Sequence, residues 1–85
     1  MNRYASLARE YWETHRADEL AAMSDSEMFF ARMGEQISYQ ISELTRELQR
    51  GGPSGEAYLA KATRFRQARE QAEARILRET LTDQR

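Results

Sequence analysis

Residues 24–50, SDSEMFFARMGEQISYQISELTRELQR, run into GGPSG at 51–55 and then into EAYLAKATRFRQAREQAEARILRETL at 56–81. This stretch predicts two long helices joined by a five-residue loop. Ser24 followed by Glu27 has the spacing of a capping box, and Asp25 and Glu27 place negative charge at the positive end of the helix dipole. Phe30, Met33, Ile37, Ile41, Leu44 and Leu48 follow one another at intervals of 3, 4, 4, 3 and 4 residues. That is close to the 3.5-residue repeat of a helix–helix seam. Arg32, Glu35, Tyr39, Glu43 and Arg46 fall on the opposite face. Gly51 and Gly52 suit a left-handed C-terminal cap, and Pro53 cannot continue the helix. Ser54 is placed to cap the second helix, with Glu56 in its first turn. A loop this short makes the two helices antiparallel neighbours. The inner face of the second is Tyr58, Ala62, Phe65, Ala68, Ala72 and Ile76, whose alanines let two backbones approach closely.

Upstream, Tyr4, Leu7, Ala8, Tyr11 and Trp12 recur at helical spacing and predict a helix over about 2–14 with an aromatic stripe. The stripe reads as core that lies across the hairpin, or as a docking face that presents Tyr11 and Trp12 to a partner. In one straight helix Leu20 would sit about 160° from Tyr4. The apolar face therefore changes phase near His15 to Ala17, which predicts a break and a second short helix over about 17–23. With long helices at about 25–50 and 55–81, the expected fold is all-α. It is a single domain, 1–85: a long antiparallel helical hairpin with an N-terminal helix packed across it, three helices in arrangement and compatible with a dimer. Residues 82–85 are expected to fray.

The 85 residues are rich in Ala, Glu, Arg and Leu, with 1 Pro and 4 Gly, which favours helix. There is no cysteine, so disulfides and thiolate metal sites are excluded. No apolar run is long enough to span a membrane, and the polar, charged N-terminus has no signal-peptide pattern. A cytoplasmic location is the expectation. Net charge is −1, with six basic and nine acidic side chains in residues 1–50 and seven basic and five acidic in 51–85. So mild an asymmetry fits an ordinary solvated surface and gives no global attraction to nucleic acid.

Chemistry-bearing constellations are few. His15, with Asp18 and Glu19 at i+3 and i+4, shares a helical face, but one histidine at a helix break reads as a solvated or capping residue, and no metal is expected. No serine sits in a Gly-x-Ser-x-Gly elbow, and the glycine-rich loop lacks the Gly-Lys-Ser/Thr ending of a phosphate cradle. No catalytic residue and no cofactor are predicted. On the last helix Lys61, Arg64, Arg75 and Arg78 share one flank that suits phosphates or an acidic protein surface. Glutamates dilute it through the i,i+4 pairs Arg66–Glu70, Arg69–Glu73 and Arg75–Glu79. Arg69 falls near the seam, where a guanidinium needs a carboxylate or an aromatic face. The first helix, about 20 Å long, can cover only part of arms about 40 Å long. Phe29, Tyr39, Leu59 and Leu77 therefore need another surface, either a second hairpin in a homodimer or a protein partner.

Gly34-Glu35-Gln36, Ile41, Leu44, Glu56, Tyr58-Leu59, Arg64, Ala68-Arg69, Ala72-Glu73 and Leu77 run in an order that resembles the TnpV-type proteins encoded on bacterial transposons. The resemblance covers about residues 34–81 and rests on helical-periodicity positions. The segment with Tyr11-Trp12 departs from it. It implies a mobile-element accessory protein and carries over no catalytic residue. Mobile elements also encode small helical inhibitors of host defence, anti-CRISPR proteins among them, and this chain is similar to those in size and in lacking an active-site pattern. The expected function is thus a non-catalytic protein-binding module, an inhibitor or accessory factor, with Tyr11, Trp12 and Tyr39 as contacts. The alternatives are a DNA-binding accessory or regulator that uses the basic flank, and a structural homodimer.

Overall fold

The computed structural model describes residues 2–50, 55 and 57–82. It is all-α, with no strand among the described residues. The helices are α1 (Arg3–His15), α2 (Ala17–Ala21), α3 (Ser26–Gln49) and α4 (Tyr58–Leu77), and a π-helical turn, Arg78–Thr82, follows α4. Contacts divide the chain into two compact units, Met1–Ser38 and Tyr39–Arg85, with the division inside α3. The expected turn residues Gly51 to Ser54, the cap at Ser54, Glu56 and the fraying tail at 83–85 lie outside the described residues.

In the first unit, Asn2 caps α1: its Oδ1 accepts from the Ala5 N–H at 2.8 Å. This end of α1 rests on α3 at Gly34. A Cβ added at Gly34 would stand 2.5 Å from Asn2 Oδ1 and 2.7 Å from the Ala5 nitrogen. Only a residue without a side chain permits that approach. The other end of α1 packs through rings. Trp12 meets Phe29 and Phe30 edge-on, with centroids 5.2 and 5.7 Å apart. Phe29 and Phe30 are themselves perpendicular, at 5.0 Å. Edge-to-face geometry sets the positive edge of one ring on the negative face of another. Phe29, expected to await a partner, is thus half-buried in this cluster. Arg9 and Arg16 close it from outside, their guanidinium carbons 5.8 Å above Phe30 and 4.6 Å above Trp12.

The predicted break is present. Arg16 leaves the helical region (φ −139, ψ 43) while its N–H still donates to the Trp12 carbonyl. Helix α2 is shorter than expected and stops at Ala21. Helix α3 starts two residues after Ser24, and its cap is Asp25, whose Oδ1 accepts from the Met28 N–H at 3.1 Å. Asp25 fills the role that the Ser24–Glu27 spacing had given to Ser24.

In the second unit, the end of α3 runs antiparallel to α4. Gln49 lies beside Tyr58 to Phe65, while Tyr39 to Leu44 lie beside Arg75 to Glu79. The closed part of the seam is Ile41, Thr45, Ala68 and Ala72, all buried. Thr45 replaces the expected Leu44 at the centre, and its hydroxyl donates to the Ile41 carbonyl at 2.7 Å. Leu81, in the π turn, is also buried.

Candidate functional site

Helix α4 begins at Tyr58, three residues later than expected, and its N-cap position is Ala57, which offers no side-chain acceptor. The Arg64 guanidinium donates from Nη1 to the Gln49 carbonyl at 2.8 Å. This charge-assisted bond satisfies one of the carbonyls that the last turn of α3 leaves unpaired. Gln49 also lines a hollow with Tyr58, Lys61, Ala62 and Phe65, so the end of α3 faces the first two turns of α4.

The expected seam fails in these two turns. Tyr58 is 82% exposed and Phe65 48%, although both were placed on the inner face. Leu59 is 76% exposed, and Leu48 in the last turn of α3 is 43% exposed. Two adjoining hollows open here. One, of about 380 Å³, is lined by Gln49, Tyr58, Lys61, Ala62 and Phe65. The other, of about 250 Å³, continues along Gln49 and Phe65 to Thr45, Arg46 and Arg69. Among the described residues their charged lining is Arg46, Lys61 and Arg69, of which Arg46 is ion-paired with Glu43.

Of the residues expected to meet a protein partner, Tyr39 is exposed, at 66%. It lines a separate hollow of about 220 Å³ with Glu43, Glu47 and Glu79. Tyr11 is half-buried and stacks on His15, with centroids 4.5 Å apart. Trp12 is only 7% exposed and belongs to the core ring cluster. Its Nε1–H is buried and meets no acceptor among the described residues. Of the two roles open to the aromatic stripe, the fold gives Trp12 the structural one, so its indole is not a contact surface in this conformation.

The four cations of the expected flank fare differently. Lys61 is exposed beside the hollow that it shares with Phe65. Arg64 is spent on the end of α3. Arg75 pairs with Glu79, Nε to Oε2, at 3.2 Å, as expected from the i,i+4 spacing. Arg78 is exposed in the π turn. Arg69 is exposed at the hollow beside Thr45 rather than sunk in the seam.

His15 is the exposed last residue of α1, and nearby Glu19 is held by Arg16 at 2.9 Å. Among the described residues no group of three His, Cys, Asp or Glu stands ready to hold a metal ion, and no helix is long and apolar enough to cross a membrane.

Sequence reasoning left Leu59 in need of another surface but placed Tyr58 and Phe65 on the inner face, where the structure exposes them. The signal available was the absence of any acidic residue from Ala57 to Arg69 beside three large apolar ones. No family model matches the chain, no curated protein matches it, and no solved structure matches it.

Proposed function

We propose that the protein is a non-catalytic protein-binding module, an inhibitor or accessory factor that acts by occupying a surface of a macromolecular partner. The observation that carries this reading is the first two turns of α4, where Tyr58, Leu59 and Phe65 hold large apolar area in water. Taking about 200 Å² for a whole aromatic side chain and somewhat less for leucine, these residues and Leu48 leave on the order of 450 Å² uncovered. A typical monomer keeps its largest apolar patch near 300–600 Å², and such patches mark interaction sites. The resemblance to transposon-encoded accessory proteins, and in size to inhibitors of host defence, supports a partner that is a protein of the host or of the element.

The test is an affinity capture from bacterial lysate with the tagged chain, with and without nuclease, beside a Leu59→Glu variant. The reading expects a protein that survives nuclease and is lost with the variant. Recovery that disappears with nuclease would replace it with nucleic-acid binding by the basic flank.

A further inference from the structure

We infer that a hollow at the start of α3 binds a small apolar carboxylate of the fatty-acid type. The hollow measures about 460 Å³. Phe29, Arg32, Met33 and Gln36 line it from one stripe of α3 with Met28 beside them, and Met23 reaches it from the link after α2. It lies wholly within the first unit and shares no residue with the exposed start of α4. Sites for small molecules are mostly apolar hollows of about 300–1,000 Å³ with a few placed polar groups, and this one has that size and make-up. Three of the chain's four methionines line it. They are not packed away as core: Met28 is 49% exposed, and Met23 and Met33 are half-buried. Unbranched thioether side chains adapt their shape to what they touch, which suits a flexible alkyl chain.

Arg32 selects the head group. It is exposed and meets no carboxylate among the described residues. Asp25 is the one carboxylate on the lining, and its Oδ1 accepts from the Met28 N–H at 3.1 Å. There the positive end of the α3 dipole offsets its charge. The Arg32 guanidinium is left to donate the two parallel N–H bonds that a ligand carboxylate accepts. A neutral alcohol of the same length would leave Arg32 unused. An alkylammonium would meet that guanidinium as a like charge and find only Asp25, which is already bonded.

The experiment is a nuclear magnetic resonance titration of the whole chain, carbon-13 labelled at its methionine methyl groups, with octanoate, 1-octanol and octylammonium. Octanoate is expected to move the signals of Met23, Met28 and Met33 together, with a single Kd below about 1 mM and at least fivefold tighter than the alcohol or the amine. Hexanoate should bind about tenfold more weakly than octanoate, because each buried methylene is worth about fourfold. Arg32→Gln should reduce octanoate to the affinity of the alcohol, leaving alcohol binding and helical circular dichroism unchanged. Met28→Glu, at a second exposed position, should weaken octanoate at least fivefold by setting an anion beside the head group. Equal binding of octanoate and octanol, octanoate binding unchanged in Arg32→Gln, or no shift at about 10 mM octanoate would overturn the inference. So would a peptide ending in leucine that binds at least tenfold more tightly than octanoate with a free carboxylate and not when amidated, which would assign the hollow to the C-terminus of a protein.

Discussion

At the scale of single residues, Gly34 and Trp12 make opposite demands on space. Gly34 is buried in the middle of a helix, where Gly→Ala ordinarily stabilises by about 1 kcal/mol through helix propensity. Here the new methyl group would meet Asn2 and Ala5, the atoms that make the cap of α1. Overpacking costs about 1–3 kcal/mol, and a lost cap about 1 kcal/mol more. Gly34→Ala is therefore expected to destabilise by about 1–3 kcal/mol, measured by urea unfolding; a more stable variant would show that α1 does not sit on α3 at this point. Trp12 fills space that nothing else can. Trp12→Ala should cost about 3–5 kcal/mol, well above the cost of Tyr11→Ala, since Tyr11 is only half-buried. Equal costs would contradict the placement of the indole in the core. Some of this was legible in advance: Trp12 was read as core or contact, and the fold chose core. The role of Gly34 was not, because a glycine within a helical pattern does not reveal which backbone approaches it. Likewise the cap passed from Ser24 to Asp25, since a run of Ser, Asp and Ser offers three acceptors and spacing alone does not select among them.

At the scale of elements, the helices and the break at Arg16 were legible because periodicity and phase are local properties. The depth of the seam was not. The expected seam took Met33 and Leu44, whereas the buried positions of α3 are Phe30, Gly34, Ile37, Ile41 and Thr45; both sets step by three and four residues, and they part where a small residue, Gly34 or Thr45, takes the place of its bulkier apolar neighbour. The start of α4 was misplaced for a different reason. Coverage of Tyr58 and Phe65 depends on how closely α3 packs against them, and the hollow that Gln49 lines with both leaves them exposed. Ala57 leaves the first N–H groups of α4 without a side-chain cap. Ala57→Asp should therefore raise stability by about 0.5–2 kcal/mol, seen as a higher midpoint in thermal unfolding. No gain would indicate that those groups are already satisfied.

At the scale of the whole molecule, one unit is closed by aromatic packing and the other is left with an uncovered helical start. The ring cluster around Trp12 and Phe30 gives the first unit a core of its own, while the second closes on Ile41, Thr45, Ala68 and Ala72 and leaves Tyr58, Leu59 and Phe65 in water. That asymmetry supports the protein-binding reading, because an apolar helical turn is cheap to keep exposed only when something else covers it in use. The expectation of an unfilled surface was legible from helix lengths; its location was not, since the length argument pointed to Phe29 and Leu77 as readily as to Leu59. The most direct measurement is amide hydrogen exchange along α4 in the isolated protein. Residues 58–63 are expected to open with free energies near zero to 2 kcal/mol, far below those of 68–77, and to gain protection only when a protein partner is bound. Protection of 58–63 equal to that of 68–77 in the isolated chain would show that the start of α4 is already covered, and would contradict the account.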